Sequence, residues 1–133
     1  MARLIDSSLW VDFTRAKSPR ALKQAILPWL QDERASLCEP VAFEVLRHAT
    51  PAEREQLESW FSTFPLLPTP ATLWRDAAEL GRRCRQNGHT PGSLDLLIAA
   101  LAIHHDAELI SFDSDFLHIA KAAPLRFQHL TRP

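Results

Sequence analysis

Two short apolar runs, Leu4-Ile5 and Leu109-Ile110-Ser111-Phe112, each stop at an aspartate, Asp6 and Asp113, and each leads within a few residues into a segment of helical spacing. A strand that runs directly into a helix does not return as a hairpin. It calls for a crossover, and crossovers build parallel sheets. Ser36-Leu37-Cys38 repeats the arrangement ahead of a helix opening at Glu39-Pro40, and Leu125 to Leu130 reads as a last strand. Short strands alternating with helices predict an α/β domain with a central parallel sheet flanked by helices on both faces. A chain of 133 residues with 46 % hydrophobic content fits one such domain, residues 1–133, around one continuous core.

The helices carry their own punctuation. Ser18-Pro19 reads as a cap followed by proline at the first helical position, opening a helix through Leu22, Ile26 and Leu27 that Pro28 should kink or end. Thr50-Pro51-Ala52-Glu53 combines a capping box with an N1 proline and begins a helix that presents Leu57, Trp60, Phe61 and Phe64 to the core. Leu73 to Gln86 stops at the cap pair Asn87-Gly88. After the loop His89 to Gly92, Ser93 can cap a strongly apolar helix from Leu94 to about His104, with Asp95 in its first turn. One further helical turn is expected at Asp115–Ile119.

Charge and cysteines narrow the function. Fifteen Lys and Arg against sixteen Asp and Glu leave a formal net charge of −1, so no global positive field draws nucleic acid, and any such contact must be local. Cys38 and Cys84 follow no metal-ligand or disulfide spacing and read as small buried apolar residues. The longest apolar run, Leu96 to Ile103, is far below the roughly 18 residues that span a bilayer, and a soluble cytoplasmic protein is expected.

Four acids stand apart from the rest. In open parallel sheets, sites form beyond the carboxyl ends of the strands, and Asp6 and Asp113 fall at such ends. Asp95 lies in the first turn of a helix that must hide Leu94, Leu97, Ile98 and Leu101. Glu44 interrupts the apolar stripe Val41, Val45, His48. Crowded carboxylates repel and buried ones lose hydration, so without countercharge some would take up protons. A divalent cation removes the conflict. An all-oxygen ligand set favours Mg²⁺ or Mn²⁺ over zinc, and such sites suit phosphodiester hydrolysis, with two ions ~4 Å apart if two bind. Ser7 and Ser111, each close to a key aspartate, are supporting candidates that would orient a carboxylate or a water.

The stretches Leu4-Ile5-Asp6-Ser7-Ser8-Leu9-Trp10-Val11-Asp12, Phe43-Glu44-Val45-Leu46, Asp95-Leu96-Leu97-Ile98-Ala99-Ala100 and Leu109-Ile110-Ser111-Phe112-Asp113-Ser114-Asp115-Phe116 occur in the order seen in PIN-domain proteins. The chain resembles the VapC-type toxins of type II toxin–antitoxin systems over essentially its whole length. The resemblance implies a three-layer α/β/α domain and a Mg²⁺- or Mn²⁺-dependent endoribonuclease. Position by position, it assigns the catalytic and metal-binding acids to Asp6, Glu44, Asp95 and Asp113, with Asp115 as a further acidic position beside them. It also implies a small antitoxin partner, a homodimer, and a structured RNA substrate such as tRNA or a ribosomal RNA loop. Phe112 stands where a basic residue is frequent in such toxins. A non-toxic RNA-processing nuclease and a catalytically idle binding module are the alternatives, while a phospho-receiver would need an acidic pair beside the first strand and a late lysine after a strand, which Lys121 is not.

Arg82, Arg83 and Arg85 form a basic run that would grip RNA phosphates or simply face water near a helix C-terminus. Arg15, Lys17 and Arg20 invite the same two readings. Asp12 is expected to be a solvated surface residue, and His48 to share the Glu44 stripe as a packed residue or a proton shuttle. His104 and His105 point about 100° apart and make poor joint ligands. Trp10, Trp29, Trp60 and Trp74 are expected as core or interface anchors.

Overall fold

The computed structural model describes all residues, Met1–Pro133. The chain runs β1 (Arg3–Ile5), α1 (Ser7–Thr14), α2 (Arg20–Leu30), β2 (Ala35–Ser36), α3 (Glu39–Arg47), α4 (Pro51–Phe61), α5 (Leu73–Gln86), α6 (Ser93–His104), β3 (Glu108–Ser111), α7 (Asp115–Ala122) and β4 (Arg126–His129). The four strands form one sheet in the order β2-β1-β3-β4, every pair parallel. Leu4 stands between Ser36 and Leu109, and Ile5 opposite Ile110. Leu4, Ile5, Leu109 and Ile110 are fully buried, as strands covered on both faces require.

The strand order fixes where a site can form. From the central pair, the chain leaves β1 toward β2 and leaves β3 toward β4, in opposite directions. Right-handed crossovers then put α1 and α2 on one face of the sheet and α7 on the other. The helix packing follows: α1 lies against α2 and α3, and α7 against α5 and α6. A crevice opens beyond the carboxyl ends of β1 and β3, where the connections diverge. One core of 27 buried residues runs through all layers, with Trp10 wedged edge-on between Phe61 and Phe64.

Several boundaries differ from those expected. The second strand forms at Ala35–Ser36 because Leu37 is taken by another partner: its N–H donates to the Pro65 carbonyl (2.9 Å) and its carbonyl accepts from Leu67 (2.8 Å). Pro28 sits inside α2, which continues to Leu30. Pro28 and Gln24 are both exposed, so the carbonyl that the proline leaves unbonded faces water. Neither Ser18 nor Ser93 caps a helix; Pro19 and Gly92 occupy the N-cap positions, without side-chain bonds. The capping box at Thr50 and Glu53 forms in full. Gly88, at φ 84°, ends α5 in the left-handed conformation, and the His89 N–H closes the turn on the Cys84 carbonyl (2.9 Å). No helix is long and apolar enough to cross a membrane.

Candidate active site

Asp6 follows β1 directly and caps α1. Its side chain is 3 % exposed, yet three hydroxyls surround it: Ser111 Oγ donates to Oδ2 (2.6 Å), Ser8 Oγ to the same oxygen (3.0 Å), and Ser7 Oγ lies 3.4 Å from Oδ1. Burial raises the Asp6 pKa, and the hydrogen bonds from Ser111 and Ser8 oppose that rise. Each serine also ties a second group. Ser111 Oγ accepts the Asp113 N–H (2.9 Å), and Ser8 Oγ accepts the Phe112 N–H (3.2 Å). Ser7 Oγ donates to Glu44 Oε1, drawing the carboxylate of α3 toward the end of β1.

The other side of the crevice is built by α6 and the β3–α7 turn. Asp95, Asp113 and Asp115 each offer an oxygen within 4.8 Å of the others. The Asp115 N–H donates to Asp113 Oδ1 (2.8 Å), which holds the turn that presents both. Asp95 is pushed up to about 7, first by burial and then by Asp113, Asp6, Glu44 and Asp115 in that order. Four carboxylates thus act on Asp95. None of the molecule's seven ion pairs includes any of them.

Such a cluster is costly when ionised, and the donor set fits a hard divalent ion: oxygens only, from separate elements, converging without a Lys or Arg to neutralise them. Asp95, Asp113 and Asp115 are the residues placed to hold it, with Asp6 and Glu44 across the serine network. Cys38, at the N-cap of α3, offers no reactive thiolate, because burial pushes it up to about 12.

Other candidates lie elsewhere. Asp12 is not solvated: its side chain is 13 % exposed and accepts from Arg132 Nε at 2.8 Å, a partner 120 residues away. His48 is exposed at the C-cap of α3, where it lines a hollow with Val45, Val11 and Arg15, and it has no hydrogen bond to Glu44. Arg82 pairs with Glu79 (3.0 Å), and Arg83 lines a hollow with Asp76, Ala100 and Pro124; no hydrogen bond or ion pair joins Arg82, Arg83 or Arg85 to the acids. His105 Nε2 lies 2.7 Å from the Pro68 carbonyl, with its ring edge-on to His104. Trp10 is buried, whereas Trp74 is 74 % exposed. Sequence reasoning passed over two neighbours of the site, Ser8 and Arg132. The tandem Ser7-Ser8 after Asp6 was a signal for the first; nothing in the local sequence marked the second.

Residues 3–122 match the profile of the PIN domain. The chain is 37 % identical over 128 residues to ribonuclease VapC11 of Mycobacterium tuberculosis, spanning 92 % of this chain and 95 % of that protein. Among solved structures it is similar to VapBC2 from Rickettsia felis bound to a promoter DNA fragment, with a TM-score of 0.76 at 18 % identity over 98 % of this chain and 99 % of that one. It is also similar to VapC20 of Mycobacterium tuberculosis, described as a sarcin-ricin loop cleaving toxin, with a TM-score of 0.71 at 18 % identity over 94 % of this chain and 99 % of that one.

Proposed function

We propose, given that this chain belongs to the PIN-domain family and within it to the VapC ribonucleases, that it is a divalent-metal-dependent endoribonuclease and the toxin of a toxin–antitoxin pair. The observation that carries the reading is Asp95, ringed by four carboxylates at the point where the sheet's connections diverge and raised to about 7 by burial and by them. A protein gains nothing in stability from such an arrangement, and functional sites are where it is tolerated.

When bound, Mg²⁺ or Mn²⁺ supplies Lewis-acid stabilisation of charge on the scissile phosphate and acidifies water at neutral pH. The chain's own residues do the rest. Asp95, Asp113 and Asp115 would hold the ion through one oxygen each, with Asp6 and Glu44 beside them. Ser111 and Ser8 fix the Asp6 carboxylate in one orientation, and the Ser111 hydroxyl ties that orientation to the Asp113 backbone. Ser7 sets the distance between Asp6 and Glu44. The Ser111 and Ser8 hydroxyls oppose the rise that burial imposes on Asp6, which favours the ionised form that ligation requires.

The substrate we assign is structured RNA, tRNA or a ribosomal loop, met in the cytoplasm by residues 1–133 acting as one domain. The sarcin-ricin loop cleavage described for VapC20 supports the ribosomal choice. A small antitoxin is the partner that the likeness to VapBC assemblies supports, and we assign a second copy of this chain as the other. The test is cleavage of RNA by purified protein with Mn²⁺ or Mg²⁺. Chelation or Asp6→Asn should abolish it; activity surviving both would overturn the reading.

A further inference from the structure

Beyond β4 the chain continues along the edge of the sheet that carries the acids. His129 stands opposite Ser111 in the register, its Nε2 lies 3.1 Å from the Phe112 carbonyl, and the Leu130 N–H donates to the Ser111 carbonyl (2.8 Å). Two residues further, Arg132 lays its guanidinium over the Phe112 ring, with Cζ 4.6 Å from the centroid. Phe112 lies between Ser111, which holds Asp6, and Asp113. Through this stacking and its ion pair with Asp12, Arg132 is tied to the end of β3 and to α1.

Arg132 is held but not used up. A guanidinium has five N–H donors in a planar fork. Only Nε–H has an acceptor, Asp12 Oδ2. The four N–H groups of the two amino ends have none, and the side chain is 52 % exposed against 13 % for Asp12. Stacking on Phe112 and the bond to Asp12 fix the plane of the fork and leave its outer edge open. Such an edge matches a phosphate, which takes two parallel N–H bonds.

We propose that Arg132, posed by Asp12 and Phe112, binds a backbone phosphate of the RNA next to the acidic crevice. The inference rests on the nuclease reading. A polyanion approaching five carboxylates meets repulsion, and a fixed cation at the rim offsets it where the chain's net charge of −1 does not.

The test separates this inference from the reading beneath it. Binding of a labelled RNA hairpin is followed by fluorescence anisotropy over a range of salt, in the cleavage-deficient Asp6→Asn background with Mn²⁺, with Arg132 intact, as Arg132→Ala and as Arg132→Lys. Cleavage by the otherwise native protein is measured separately. Losing Arg132 should weaken binding about 5- to 20-fold and reduce the salt slope by about 0.7, the share of one phosphate contact. Arg132→Lys should recover the slope but only part of the affinity, and in the native background Arg132→Ala should raise KM and leave kcat within about twofold. Unchanged affinity and slope, with only a lower melting temperature, would make Arg132 a structural tie to α1 and overturn the inference. Absence of any cleavage by the native protein, with binding that still depends on Arg132, would instead sink the nuclease reading.

Discussion

Asp95→Asn should make the metal-free protein more stable. A carboxyl that ionises near 7 rather than at its ordinary 3.8 resists ionisation by about 4 kcal/mol, at 1.36 kcal/mol per tenfold. Asp95 is only half-buried, and screening by water cuts this to about 2 kcal/mol. The sign follows from linkage. Well below 3.8 both folded and unfolded chains carry a neutral Asp95, and the folded state suffers nothing. As pH rises toward 7 the unfolded chain ionises while the folded one resists, so stability is lost across that window and stays lost above it. Asparagine has the same shape without the charge. In EDTA at pH 8 the variant should melt roughly 6–10 °C above the parent, and at about pH 3 the two should coincide. Excess Mn²⁺ should reverse the order, because only the parent keeps all its ligands. Thermal denaturation followed by circular dichroism at both pH values, with and without Mn²⁺, measures all of this. A gain independent of pH, or a variant less stable than its parent at pH 8 without metal, would refute the electrostatic picture.

Three further outcomes follow from the same geometry. Ser111→Ala removes the shortest hydrogen bond to Asp6, leaving that buried oxygen to Ser8, and takes the acceptor from the Asp113 N–H, so it should cost about 1–3 kcal/mol in urea unfolding and raise the metal concentration needed for half-maximal cleavage. Cleavage at subsaturating Mn²⁺ should rise with pH from 6 to 8, since protonated Asp95 is a poor ligand; a rate that falls over that range would count against it. Leu101→Ala, in the fully buried core, should cost about 2–5 kcal/mol without shifting that pH profile, separating damage to the fold from damage to the site.

Much of this was legible beforehand because it is local. An apolar run that ends in an acid and meets a helix marks a strand end whatever the rest of the chain does, so Asp6 and Asp113 could be placed at the sheet's carboxyl edge. Asp95 followed from an apolar helix that had to be buried, and the full capping box at Thr50 from four consecutive residues. What escaped depends on distant partners. The order β2-β1-β3-β4 sets β1 beside β3, with more than 100 residues between them, and no local pattern encodes that choice. The second strand stops at Ser36 instead of running to Cys38 because the loop after α4 competes for Leu37. Asp12 looked like a surface acid because the arginine that covers it lies 120 residues away. Asp115 has no strand end or apolar stripe to mark it, yet its oxygen stands with those of Asp95 and Asp113, a closeness set by one turn. The capping serines failed for a smaller reason: Pro19 and Gly92 already adopt extended N-cap conformations, so the helices start without a side-chain acceptor.

The central claim is that the carboxylates of this crevice hold a divalent ion and give up a proton to do so. Titration calorimetry of the intact protein with Mn²⁺, run at pH 6.5 in two buffers of different ionisation enthalpy, measures both at once. Saturable binding that releases part of a proton at pH 6.5, with the proton release gone at pH 8.5, where Asp95 is already ionised, and gone in Asp95→Asn, is the predicted result. Binding that is absent, or that persists undiminished in both Asp95→Asn and Asp113→Asn, would contradict it.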